Sequence, residues 1–264
     1  MQLIKKYVTN NRHYKTNRII NVKRLVLHSV GTPQPNPDVF VNIWNTTTNK
    51  YLAQIVIGID KAYEVLPCTI TKGKAVFCWH VGNANSSSIG AEMTEPSTIK
   101  YTGGANFVDL NPAKTKAHVM ATYKNAVDIF AQLCKFHGLN PLADGVILSH
   151  RECHARGIGT NHGDVEHLWN RFGLSMDQFR KDVANAMGNI AQKPQQQTFR
   201  VKVSIDDLNM RTGPGTNNTR IGYIPVGVYT IVETNGNWGR LKAQQKYNGK
   251  WVDAWIHLGY TTRV

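Results

Sequence analysis

RLVLHSV, residues 24–30, is a run of apolar residues with one histidine set into it. A short continuous apolar stretch between polar flanks fits a strand buried on both faces. His28 interrupts it. Taken alone, a histidine there reads either as a hydrogen-bonded core residue or as a ligand fixed on a rigid element. Downstream, Asn36 and Pro37 open a short helix toward Trp44. AQIVIGI (53–59) and AYEVL (62–66) read as strands joined by a tight turn at Asp60-Lys61, and Ser88–Met93 as another strand. Pro112 begins a long amphipathic helix, with Ala117, Met120, Tyr123, Val127, Phe130 and Cys134 at helical spacing and Gly138 as its stop. VILS (146–149) is a short buried strand. The alternation predicts an α/β fold, a mixed β-sheet flanked by helices.

The pattern changes near residue 188. Ser175 and Gln178 resemble a capping box for one more helix, with Gly188 at its C′ position. GNIAQKPQQQT (188–198) is polar and Gln-rich and reads as a linker. Beyond it, short β-rich runs alternate with GPGTNN, PVG, NGN and NGK, as in an all-β barrel. Trp238 and Trp255 are expected in its core. The predicted division is a domain over 1–187, a linker over 188–198 and a domain over 199–264.

The net charge is +14, spread as +8 over 1–187 and +5 over 198–264. An anionic partner follows. No Lys/Arg block stands out, so a nucleic-acid partner is not expected. The first twenty residues contain no signal-peptide core, and no window is apolar enough for a membrane span. The expected site of synthesis is a cytoplasm. Cys68, Cys78, Cys134 and Cys153 form no Cys-x-x-Cys pair and are expected as buried thiols.

The densest chemical signal is SHRECHARGIGTNHGDVEHLW (149–169), with four histidines, Asp164, Glu152 and Glu166. A catalytic zinc site takes three protein ligands from His and carboxylate side chains and leaves a position for water. His150 directly follows a strand, Asp164 lies beyond a Gly-containing loop, and His28 is the best third ligand. His154 and His162 stay open as alternatives to Asp164. Cys153 is out of register.

Three segments carry a resemblance. They are Leu25-Val26-Leu27-His28-Ser29, then Trp79-His80-Val81-Gly82 with Ser88-Ile89-Gly90-Ala91-Glu92, then Ser149-His150-Arg151-Glu152 with Asn161-His162-Gly163-Asp164 and Trp169. In this order they resemble the zinc amidase family that includes peptidoglycan recognition proteins and many phage and clostridial endolysins. The resemblance implies N-acetylmuramoyl-L-alanine amidase activity on bacterial peptidoglycan. It implies Zn²⁺ on His28, His150 and Asp164, Glu92 as general base, His162 steadying the oxyanion where relatives often carry Lys, and His80 lining the substrate cleft. Ala53-Gln54 stands where some relatives carry Tyr-His, so no tyrosine hydroxyl is expected from that strand. Zinc lowers the pKa of bound water to about 7 and polarises a carbonyl, which suits amide hydrolysis.

LNMRTGPG (208–215) resembles the signature of bacterial SH3-like wall-binding domains, followed by Pro225-Val226-Gly227, Gly236-Asn237-Trp238 and Trp255-Ile256 in the expected order. Together these imply an endolysin made in a host cytoplasm and released through the membrane onto the wall. Three other readings compete: a non-catalytic wall-recognition protein, a host autolysin, and a glycoside hydrolase using Glu92 with Glu95 or Asp109. Oligomeric state is not legible.

Overall fold

A computed structural model describes residues 1–191 and 199–264, with side chains through 188 and from 199. It divides into two compact units, Met1–Ile190 and Ala191–Val264. Most of the predicted linker, residues 192–198, lies outside the described residues. Gly188 does not end its helix, which runs from Met176 to Ala191. Ser175 Oγ accepts from Gln178 N at 3.2 Å, as an N-cap does, and the Gln178 amide nitrogen donates forward to Asp182.

The first unit contains strands β1 (Leu3–Lys5), β2 (Ile19–Asn21), β3 (Arg24–Ser29), β4 (Ile55–Ile57), β5 (Ala62–Glu64), β6 (Lys74–Val76), β7 (Ser88–Met93), β8 (Ile99–Gly103), β9 (Asn106–Asp109) and β10 (Ile147–Ser149). Its helices are α1 (Arg12–Thr16), α2 (Pro37–Trp44), α3 (Pro112–His137), α4 (His150–Ala155), α5 (Glu166–Trp169) and α6 (Met176–Ala191). Six strands form a mixed sheet in the order β1-β5-β4-β7-β3-β10. Only the β4–β5 hairpin is antiparallel within it; the other pairs are parallel.

Strand parity decides what each face does, because successive side chains point to opposite sides. Leu25 and Leu27 of β3, Ile55 and Ile57 of β4, and Ile89, Ala91 and Met93 of β7 join one cluster with Phe130 of α3 and Phe179 of α6. Phe130, Trp169 and Phe179 are its largest sealed side chains, with Phe179 ring centroids 5.2 Å from Phe130 and 5.5 Å from Trp169. Contacts of this kind add about 0.5–1.5 kcal/mol each beyond area burial. On the other face, Val56 packs with Phe40, Val41 and Trp44 of α2, and Val26 packs with Val81, Leu148 and Cys153. His28 and Glu92 share that second face by parity with Val26 and Gly90.

α3 starts where expected, with Asn111 accepting from Lys114 N and Pro112 in the first turn, and ends at Gly138 in the left-handed region (φ 72°). Its phase departs from prediction in the first turns. Tyr123, Val127, Phe130 and Cys134 are buried, whereas Ala117 and Met120 face solvent. The inward positions there are Thr115, His118, Val119 and Thr122. Asp109 accepts from the Thr115 hydroxyl, and His118 Nε2 lies 2.9 Å from the Thr94 carbonyl. All four cysteines are buried free thiols.

The second unit is all-β. Strands β11 (Phe199–Val203), β12 (Asn209–Arg211), β13 (Arg220–Tyr223), β14 (Gly227–Asn235), β15 (Trp238–Leu241), β18 (Trp255–His257) and β19 (Thr261–Arg263) pair antiparallel in the order β13-β12-β18-β15-β14-β11-β19. A separate hairpin joins β16 (Gln245–Tyr247) to β17 (Lys250–Val252) through Asn248-Gly249, both at positive φ as a type I′ turn requires. The core holds Val201, Val203, Leu208, Ile231, Leu241 and Ile256. Trp255 is buried as expected; Trp238 is only half-buried and stacks edge-on against His257.

Candidate active site

The face of β3 and β7 left free of α3 opens into a groove of about 800 Å³ lined by His28, His80, Glu92, His150, His162 and Asp164. Thus all six residues given a role by the resemblance lie on one cavity. His28 and Glu92 are direct register partners across β3 and β7. His150 is the first residue of α4, and its position is fixed from several sides. Ser149 and Glu152 close a capping box, Arg180 holds both Glu152 oxygens at 2.9 and 3.0 Å, and Arg151 N donates to the Asp164 carbonyl.

Three atoms that could hold a metal ion converge. His28 Nδ1 lies 3.1 Å from His150 Nδ1 and 3.2 Å from Asp164 Oδ2, and His150 Nδ1 lies 3.7 Å from that same oxygen. Ligands about 2.0–2.2 Å from a tetrahedral zinc stand roughly 3.3–3.5 Å from one another, so the three atoms fit that ion. Neither alternative third ligand joins them. His154 is exposed with Nδ1 3.4 Å from the Gly159 carbonyl, and His162 Nδ1 contacts the far nitrogen of His150, Nε2, at 2.9 Å. Cys153 faces Val26 and Leu148.

Charge in the cluster follows from burial and proximity. Burial opposes a charge on His28, yet its bond to Asp164 and the nearby Glu92 win, raising its pKa. Burial works against Asp164 too, but His28 holds that carboxyl below the usual range. Burial and the His28 charge push His150 down to about 3, and push His80 well below its ordinary value, so both rings are neutral. Burial also pushes Glu92 up to about 7, opposed by His28 and assisted by Asp164 and Glu95; its Oε2 is sealed and has no hydrogen-bond partner. A carboxylate with a spare oxygen and a pKa near neutrality is suited to moving a proton.

The profile of the N-acetylmuramoyl-L-alanine amidase family matches residues 18–164, more than half of the chain. The chain belongs to that family. Its catalytic class is therefore peptidoglycan amidase. A search of curated proteins finds no match. Among solved structures, the amidase is similar to the Staphylococcus aureus hydrolase AmiA, solved in complex with its ligand, at 16% identity and a TM-score of 0.54, covering 73% of this chain and 86% of that one. It is also similar to PlyL, at 18% identity and a TM-score of 0.50, covering 69% and 97%. At such identities the likeness shows the shared fold.

Several residues of the amidase groove were given no role from sequence, although Trp79 stands in one of the quoted segments. Trp44, Tyr51 and Trp79 form an aromatic wall, with Tyr51 and Trp79 centroids 6.0 Å apart. Thr160 Oγ1 lies 2.9 Å from His150 Nε2. Glu95, nominated as a glycosidase carboxylate, is fully buried and spent on structure: Oε1 accepts from Gly31 N and Oε2 from the Tyr101 hydroxyl. Asp109 is likewise used, accepting from Asn111 N and Thr115. The paired-carboxylate reading therefore has one available carboxylate, Glu92.

Proposed function

We propose that the amidase is a zinc-dependent endolysin that cleaves the bond between N-acetylmuramic acid and L-alanine. The observation that carries this reading is the convergence of His28 Nδ1, His150 Nδ1 and Asp164 Oδ2 beside an unpartnered carboxylate in one groove. Zinc held by these three residues would polarise the scissile carbonyl and make water a nucleophile at neutral pH. Glu92, which lines the groove, takes the proton of the attacking water and returns a proton to the leaving amine nitrogen. His162, exposed at the groove rim, offers its ring to the developing oxyanion. Thr160 and His162 hold the outer nitrogen of His150, which orients the ring. The buried sheet behind β3 and β7 keeps His28 and Glu92 at fixed separation.

Two measurements test this. Purified protein is expected to carry one zinc per chain, and digestion of purified walls should release new amines without new reducing ends. Reducing ends without amines would replace the reading with a glycosidase.

The second unit we assign as an SH3-like wall-binding domain, supported by its antiparallel sheet, its signature segment 208–215 and the net charge of +5 over residues 198–264. Residues 1–190 should then cut soluble muropeptide at about the full-length rate but clear intact cells more slowly, because tethering raises local substrate concentration without adding catalytic groups. A folded, zinc-loaded fragment that is inert on soluble muropeptide would show the division to be wrong.

A further inference from the structure

His80 lines the groove, which suggests contact with substrate, but both of its ring nitrogens are occupied within the protein. Nδ1 lies 2.9 Å from His28 Nε2, and Nε2 lies 3.1 Å from Ser88 Oγ, which in turn lies 2.7 Å from the Ala84 carbonyl. The proton directions along this chain can be assigned from its far end. A carbonyl only accepts, so the Ser88 hydroxyl donates to Ala84 and leaves its oxygen to accept from His80 Nε2–H. A neutral His80 protonated at Nε2 has a bare Nδ1, which accepts from His28 Nε2–H. With its proton held on Nε2, a neutral His28 presents a bare Nδ1, the atom that faces His150 and Asp164.

We propose that His80 is a positioning residue: with Ser88 it locks His28 in the tautomer that offers Nδ1 to the metal. Gly90 belongs to the same device. A Cβ there would stand 2.6 Å from His80 Nδ1, so only glycine leaves room for the ring where it meets His28. The edge-on packing of the two rings, with centroids 5.1 Å apart and planes at 87°, keeps the Nε2–H directed at Nδ1. The Asn85 side chain accepts from the backbone N–H groups of His80 and Val81 and holds the segment in place.

The proposal rests on the zinc reading, and zinc affinity of the full-length chain, read by chelator competition, separates the two. If the unaltered protein binds no zinc, the zinc reading fails. If it binds zinc and His80→Phe binds equally well, only the relay fails. His80→Phe is expected to lose about 10–100-fold in zinc affinity, the range typical of lost partners to a ligating histidine. His80→Asn places an amide oxygen where Nδ1 stands and should stay within about threefold of the parent. Gly90→Ala, which displaces the ring and removes no nitrogen, should follow His80→Phe. A raised KM with zinc affinity unchanged would make His80 a substrate contact and overturn the proposal. Should the variants misfold, the unaltered zinc protein decides by ¹⁵N NMR. A proton on His28 Nε2 with coupling across to His80 Nδ1 is expected; a proton on His80 Nδ1 would overturn the relay.

Discussion

Glu92→Gln is expected to turn over wall substrate about 10²–10⁴-fold more slowly than the parent protein while retaining its zinc, the usual contribution of general acid–base catalysis. Gln preserves shape but cannot take a proton at neutral pH. An exposed carboxylate without a role would cost less than about 0.5 kcal/mol on replacement. Retention of more than about a third of the parent turnover, with metal bound, rules out the base. Stability carries a second signature. Burial raises the folded-state pKa of Glu92 to about 7 from the ordinary 4.5. A raised pKa means the protonated carboxyl is favoured by folding, so its stability is complete below pH 4.5 and is lost as pH rises through 7. Metal-free Glu92→Gln, which never ionises, should therefore melt higher than metal-free parent at pH 8, and the gain should vanish toward pH 4.5.

His28→Ala is expected to abolish zinc retention and to reduce turnover by at least about 10³-fold, since the pKa of water returns from near 7 toward about 15.7. It removes one of the three proposed ligands and leaves His150 and Asp164 without their shared partner. Because only the folded chain assembles the three atoms, zinc binding also stabilises the fold, by about 2.7 kcal/mol at a hundredfold excess over its dissociation constant. Calorimetry with and without added zinc should show a melting shift in the parent that is missing in His28→Ala. Full zinc occupancy in the variant would move the metal elsewhere.

Much of this site could be read from the chain because its residues sit on elements with strong local signals. His28 stood out by breaking an apolar strand, and Glu92 and His150 end or follow strands that were also foreseen. What escaped depends on long-range register. Ala117 and Met120 were placed inward because they continue the apolar spacing of α3, yet the helix turns Thr115, His118 and Thr122 inward, where hydrogen bonds to Asp109 and Thr94 compensate their burial. Apolar periodicity has no term for a polar residue satisfied by a distant strand. Tyr51 and Trp79, 28 positions apart, meet only through an isolated bridge between their backbones, so no local pattern predicts the wall they form. Gly188 failed as a helix stop because glycine weakens a helix without ending it.

The parallel pairing of β3 with β7 makes activity a stricter condition than folding. An insertion of one residue ahead of His28 would exchange Leu27 and His28 between faces, sending a histidine beneath α3 and a leucine into the groove, and both fold and chemistry would go. A slip of two residues between the strands keeps every side chain on its proper face and leaves an intact apolar layer. It also carries Glu92 about 6.6 Å along the strand from His28, out of reach of water activated there. A sequence can thus drift into a well-packed, inert relative by a change that the core does not register.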